Sequence, residues 1–250
     1  IQLDDRAAWV AFLREQALAE LDEAAVAGHP QRAAFRRILQ SWNGRADAGS
    51  TGYALLRAYH DALYDAWFGA LDEKLAAIDG GLSMRRASSR VLATMESLVR
   101  ARAWKPAYAA DWRAFMLERI DTAIASVAAG DRPLDDIRWG DRNRLAMEHP
   151  LARVLPAAVR PWLSAPVRPM PGDIHMPRIQ GTSFGASERF VVSPGHEEHG
   201  LMEMPGGASG HPLSPFFLAG HSAWTDGEAT PFLPGPDVHR LTLVPAGSGH

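Results

Sequence analysis

Apolar residues recur at helical spacing through the first half of the chain. Between residues 5 and 27, Trp9, Phe12, Leu13, Ala17 and Leu21 share one face, the stripe by which a helix buries itself. Asp4 is the candidate N-cap and Gly28 the stop. A second helix is predicted over 31–42, with Phe35, Ile38 and Leu39 inward. A third runs from about Thr51 to Ile78, with Ser50 or Thr51 as cap and Gly80-Gly81 as terminator. It carries Tyr53, Leu56, Tyr59, His60, Leu63, Trp67 and Leu71. A fourth covers roughly 86–102. A fifth opens near Pro106, carries Tyr108, Trp112, Phe115, Ile120 and Ile124, and ends at Gly130. The aromatic stripes are read as core packing rather than a ligand groove, because this spacing is how helices bury a face.

Beyond Gly130 the period changes. Arg144 to Glu148 reads as a strand ended by His149-Pro150, and shorter strands are expected near 174–180, 187–193, 200–205 and 239–244. Phe190-Val191-Val192 and Leu201 to Met204 flank a Pro-Gly turn with an acidic-His loop, a hairpin pattern. From about Leu163 onward the chain carries most of its Pro and many of its Gly. The expectation is an α+β arrangement, a helical region over 1–130 and a strand-rich region over 131–250.

Composition narrows the partners. The net charge of -3 over 250 residues makes no electrostatic case for nucleic acid. No apolar run approaches the ~18 residues of a membrane span. The absence of Cys excludes thiolate chemistry, disulfides and Cys-based zinc sites. The chain opens on Ile1 without the charged start and apolar middle of a signal peptide. A soluble polypeptide is expected, and a processed piece of a larger one.

Several short patterns suggest chemistry. Gly181-Thr182-Ser183-Phe184-Gly185 matches the G-x-S-x-G elbow, which needs a strand before it and a helix after it. Residues 186–192 read as a strand, so a loop is expected instead. Asp173, His175 and Ser183 can be drawn as a triad, but lie within about ten positions, whereas triad members are usually far apart; a polar loop whose Asp caps backbone N–H groups is preferred. His196-Glu197-Glu198-His199 lacks the H-E-x-x-H spacing that puts two His on one helix face, and is read as a solvated hairpin tip. Gly206 to Gly210 lacks the Lys and the following helix of a phosphate-binding loop, so its glycines are read as permitting close backbone approach. Ser209 has no base placed beside it by sequence. His149 is read as a structural residue. Arg85-Arg86, Arg90, Arg100, Arg102 and Lys105 are read as a solvated helix face. No catalytic residue and no metal ligand is assigned.

Ordered blocks along the chain carry a family resemblance. Leu39-Gln40-Ser41-Trp42-Asn43-Gly44 is similar to an L-x-x-W-D-G segment. Trp139-Gly140-Asp141 with His149-Pro150-Leu151 resembles W-G-x…H-P-L, and Pro171-Gly172-Asp173 a G-D loop. Gly185-Ala186-Ser187-Glu188-Arg189-Phe190 resembles the start of a G-x-S-x-R strand. Gly207 to Pro215 resembles G-Q-S-G-N-P-x-S-P, and Trp224 to Phe232 a W-x-x-G-x-x-x-P-F end. Together these resemble the C-terminal part of the large chain in the penicillin acylase family of N-terminal-nucleophile hydrolases. Asn43 and Ala208 depart from the family's Asp and Gln, both in structural motifs. His175-Met176-Pro177-Arg178 and Phe232 to Pro236 look most like the branch that deacylates homoserine lactones and lipopeptides such as aculeacin.

The resemblance implies part of an αββα sandwich, with the hairpin over 187–205 adding to the central sheets. It implies an amide hydrolase whose Ser nucleophile heads a companion chain outside these residues, acting on a small acyl-amide substrate. No cofactor is required; the family's structural calcium has its ligands elsewhere. A periplasmic or secreted location is implied. The chain alone is then expected to show no amidase activity and to be poorly stable, its strand edges being unpaired. Two alternatives stand beside this reading: a non-catalytic relative with a structural or binding role, and a self-contained hydrolase using Ser183.

Overall fold

The computed structural model describes residues 1–88, 90–128 and 132–244, in two units that divide after Gly185. In the first unit the expected helix over 5–27 is broken. Residues 5–7 pair with 44–46 instead: Ala7 N–H donates to Gly44 O at 2.8 Å and Ala46 N–H to Asp5 O at 2.9 Å. Asp4 therefore caps no helix, and its carboxylate holds the Arg6 guanidinium. A 3-10 turn, Ala8–Val10, leads into α1 (Ala11–Glu20), which is followed by α2 (Glu23–Val26). The break has a chemical cause. The Asp22 carboxylate accepts the Ala25 N–H at 2.9 Å and starts a new helix. Gly28, at φ +73°, then turns the chain in the left-handed region open to glycine.

α3 (Pro30–Ser41) begins on Pro, where the missing N–H costs nothing. α4 (Thr51–Ile78) has the expected bounds, with the Ser50 hydroxyl accepting the Tyr53 N–H at 3.1 Å. From Gly52 to Tyr64 every residue but Asp61 is buried, so this half of α4 is the axis of the unit. Its second half runs out to solvent, leaving Leu71 and Ile78 exposed. The fourth expected helix is divided into α5 (Met84–Ala87) and α6 (Val91–Ala101), the Ser88 hydroxyl accepting the Arg90 N–H between them. α7 (Trp112–Val127) starts later than expected, because Asp111 caps it through the Ala114 N–H at 2.7 Å. Pro106 heads only a turn, closed from Ala109. Gly130, the expected end of that helix, lies outside the described residues. α7 packs along α4, and Phe35, Leu39, Leu56, Tyr59, Leu63, Phe115 and Ile120 close the core between them.

The later part of this unit docks on the start of α4. α8 (Trp139–Arg142) hydrogen bonds to residues 48–50 through Trp139 and Gly140. The expected strand over 144–148 shrinks to β1 (Arg144–Leu145), antiparallel to β2 (Arg168–Pro169), with an isolated bridge from Glu148 to Ser164. No strand forms over 174–180. Gly172 takes φ +91°, and a Cβ there would stand 2.3 Å from Arg178 O. This close approach folds 173–178 into a turn; Pro177 contributes no N–H. Trp139 Nε1 and Asn143 Nδ2 both donate to Gly172 O, at 2.8 and 3.0 Å, and fix that turn.

The second unit contains the expected hairpin. β3 (Arg189–Val191) pairs antiparallel with β4 (Leu201–Glu203), Arg189 opposite Glu203. Cross-strand neighbours on one face sit close enough to bond, and here they form a buried ion pair at 2.5 Å. α9 (His221–Asp226) adds the fully buried Trp224, whose Nε1 donates to Ala186 O at 2.9 Å. The expected strand at 239–244 is absent; those residues are exposed and belong to no sheet. The whole is mixed helix with small antiparallel sheets, an α+β chain. Among the described residues no helix is long and apolar enough to cross a membrane.

Candidate functional site

The first unit buries a polar cluster on one stripe of α4. Tyr53, Arg57, His60, Asp61 and Tyr64 follow the i, i+4, i+7, i+8, i+11 spacing of a single helix face. That face would be expected to be apolar in so buried a helix. The turn at Gly172 brings Asp173 onto it. Asp173, 4% exposed, accepts from the Tyr53 hydroxyl at 2.6 Å and from Arg57 Nε at 3.1 Å. Its other oxygen accepts the Ile174 N–H at 2.6 Å. Arg57 also binds Asp61, and the Asp61 carboxylate is shared with Arg85 at 2.8 Å and Arg142 at 3.5 Å.

His60 lies beside this ion pair. A guanidinium only donates, so the 3.0 Å contact from Arg57 makes His60 Nδ1 an acceptor. The alternative contact, Nδ1 to Asp61, is longer at 3.4 Å. The imidazole proton therefore sits on Nε2, a buried atom with no hydrogen-bond partner among the described residues. Its ring meets Trp9 edge to face at 5.0 Å, and His175 leans on the same indole at 4.6 Å.

Burial sets the charges. His60 is pushed down to about 4, mainly by desolvation, with Arg57 adding to the shift and Asp61 opposing it. His175 is lowered by burial against the opposing pull of Asp173. Burial and the Asp173 charge push the Tyr53 phenol far up, so it remains a donor. Asp61 resists burial and stays ionised well below the usual carboxylate range, through the Arg57 and Arg85 guanidiniums. At neutral pH the cluster thus holds fixed ion pairs and two neutral imidazoles.

A cavity of about 280 Å³ opens over the cluster between His60, Arg85, Leu92 and His175. A second, of about 180 Å³, shares His60 and Leu92 and runs along Phe12 and Met95. The sequence pattern puts Tyr53 and His60 in a packing stripe, and no local motif marks Arg57 and Asp61. The available signal was three ionisable residues at i, i+3 and i+4 inside an apolar helix.

The sequence-level candidates do not assemble. Ser183 is exposed in a loop closed by the Gly181–Phe184 hydrogen bond, with no helix following. It hydrogen bonds to neither Asp173 nor His175, and the Asp173 carboxylate is engaged by Tyr53 and Arg57. Residues 196–199 form an exposed turn at the hairpin tip, their two His rings stacked 6.5 Å apart. Gly207 and Ser209 donate their N–H groups to Phe217 and Phe216, so the glycine run is packed on its own unit. A Cβ on Gly207 would fall 1.9 Å from Phe216 O, which explains the glycine. His149 caps its own turn by accepting the Leu151 N–H at 3.1 Å. Of the basic run, Arg85 is not merely a solvated cation: it pairs with Asp61 and lies 3.9 Å over the Tyr64 ring. Among the described residues no group of three His, Asp or Glu could hold a metal ion.

Comparison with known proteins adds two findings. The sequence model of the penicillin amidase family matches residues 1–237. The penicillin acylase 2 proenzyme of Pseudomonas sp. (strain SE83) is 27% identical over 257 aligned positions, covering 91% of this chain and 31% of that protein. The chain thus spans about a third of the length of the curated relative it matches.

Proposed function

The chain belongs to the penicillin amidase family, and from that premise we propose that it is part of an acylase, hydrolysing the amide between an acyl chain and an amine-bearing head group. The match over residues 1–237 carries this reading. The relative's description as a proenzyme supports a product of processing. Acyl-homoserine lactones and lipopeptides are the preferred substrate classes, ahead of β-lactams such as penicillins. The location is periplasmic or secreted.

The nucleophile in this reading is a Ser at the head of a companion segment. Its α-amino group takes the hydroxyl proton as the oxygen attacks the amide carbonyl. The amine leaves with that proton, and water then hydrolyses the acyl ester to the free acid. Among the described residues neither Ser183 nor Ser209 hydrogen bonds to a His or carboxylate side chain, which supports placing the nucleophile outside them. Residues 1–250 serve as scaffold: the helical part walls a cleft, and the hairpin over 187–205 extends the sheets of an αββα sandwich. No cofactor is needed, and any structural calcium is bound elsewhere.

Intact mass and N-terminal sequencing of every polypeptide in the purified protein, with an amide-hydrolysis assay, tests this. A companion chain starting with Ser, and turnover only by the assembly, is the expected result. Turnover by the 250-residue chain alone would overturn the placement of the nucleophile. An assembly without any amidase activity would instead support a non-catalytic relative.

A further inference from the structure

The cavity beside α4 is lined by polar groups whose hydrogen bonds are unevenly satisfied. The Tyr64 hydroxyl already donates to Asp72 at 2.6 Å and accepts the Arg85 N–H at 3.1 Å. The Ser88 hydroxyl accepts from Arg90. What remains is rich in donors. Arg85 uses Nη2 on Asp61 and keeps further N–H groups, with its side chain 39% exposed. His175 is half-buried, lines the cavity and has no hydrogen-bond partner among the described residues. Held neutral by burial, it presents one N–H. The opposite wall is apolar, formed by Val91, Leu92 and Ile174. Past His60 and Leu92 the adjoining cavity continues along Phe12, Leu13 and Met95, with Glu96, already paired with Arg100, also on its wall.

We propose that these adjoining cavities form a binding site for a small molecule with a carbonyl oxygen at one end and a short apolar stem. The oxygen is met by Arg85 and His175. The stem lies on Leu92 and reaches toward Phe12. An ammonium in the same place would face the Arg85 guanidinium, whose partner Asp61 is already engaged by Arg57 as well. The two cavities, about 280 and 180 Å³, suit a ligand at the small end of the usual range. Nothing in this assignment requires the acylase reading. A carboxylate and a neutral carboxamide share the chemistry, and the test separates them.

The test is titration of the purified protein, companion chains retained, with hexanoate, hexanamide and hexylammonium. Calorimetry and the side-chain NMR signals of His175 and Leu92 report binding. Hexanoate or hexanamide should shift both signals, and the tighter of the two names the source as acid or amide. His175→Phe, which removes the donor and keeps a ring on Trp9, should weaken binding about fivefold, the value of one hydrogen bond. Leu92→Trp should fill the passage between the cavities and abolish binding, with an unchanged melting temperature certifying the fold. Three results would each overturn the site: silent His175 and Leu92 signals, affinity unaltered by Leu92→Trp in a folded variant, or hexylammonium binding as tightly as the carbonyl compounds. A water held on His175 that no probe displaces would overturn it as well. None of these readouts uses catalysis, so failure of the acylase proposal leaves them intact.

Discussion

Among the described residues each unit buries one arginine, and the two are used differently. Arg189 in the hairpin meets the carboxylate directly across the strands, the Trp224 carbonyl at 2.5 Å, and the Trp224 ring 5.2 Å from its guanidinium carbon. Register alone supplies the carboxylate. Arg57 in α4 meets Asp61 one helical turn on and Asp173 from a turn 116 positions later. Around it stand two imidazoles, a phenol and two further guanidiniums. The hairpin pair is one guanidinium on one carboxylate and fastens a small unit, although Arg189 Nε is itself buried without a hydrogen-bond partner among the described residues. The helical cluster contains more polar groups than its hydrogen bonds satisfy, and it adjoins cavities. Burial of charge is common to both, so burial does not mark a site; leftover hydrogen-bonding capacity beside space does.

The largest effect expected is on the hairpin. Arg189→Met should destabilise the second unit by about 3–5 kcal/mol, because it leaves Glu203 buried and unpaired. Changing Glu203 to Met as well should recover most of that loss, since apolar groups of similar volume replace buried ion pairs at little cost. Denaturant unfolding of the three variants measures it. Recovery that fails would mean the pair does more than fasten the hairpin, and the contrast with Arg57 would narrow.

Acid should act on the helical cluster first. His60 has an unfolded value of 6.5 and a folded value of about 4. A depressed His binds its proton in the unfolded chain before the folded one. The stability it contributes is therefore present above pH 6.5 and lost as pH falls toward about 4. The loss should be about 3 kcal/mol over that window. His175, shifted the same way, adds to the slope. His60→Gln should flatten it, with urea midpoints at several pH values as the measurement. Next in size, Asp173→Asn should cost about 2 kcal/mol, less than Arg189→Met, because Arg57 retains Asp61 as a partner.

Much of the helical layer was legible from apolar spacing. α4 was read to its ends because Ser50 and the buried stripe agree. The first helix was misread because Asp22 looks like an interior polar residue until its carboxylate is seen on Ala25. The absent strand at 174–180 has a similar origin: nothing in Ile174 to Gln180 announces that Gly172 lies against Arg178 O. The candidate site was hidden for the same reason. Asp173 and His175 stand out as a pair in a loop, but their partners Tyr53, Arg57 and His60 are more than a hundred positions away. Local motifs such as residues 181–185 and 196–199 matched patterns yet lacked the flanking elements that give those patterns their chemistry.

The smallest effect expected concerns Ser183, the residue that its motif marks most loudly. Two serines of the first unit make the comparison. Ser50 satisfies an N–H at the head of the most buried helix, and Ser50→Ala should cost about 1 kcal/mol. Ser183 is exposed, engages neither Asp173 nor His175, and sits in a loop whose shape is set by Gly181 and Gln180: Gln180 Nε2 binds Gly181 O and Phe184 O at 2.8 and 3.0 Å. Removing its hydroxyl takes nothing from that geometry. Ser183→Ala should therefore stay within about 0.5 kcal/mol of the parent and leave amide turnover by the assembled protein unchanged. A loss of turnover at full stability would contradict the placement of the nucleophile outside this chain. It would also turn the exposed loop, rather than the cluster on α4, into the chemical centre of the unit.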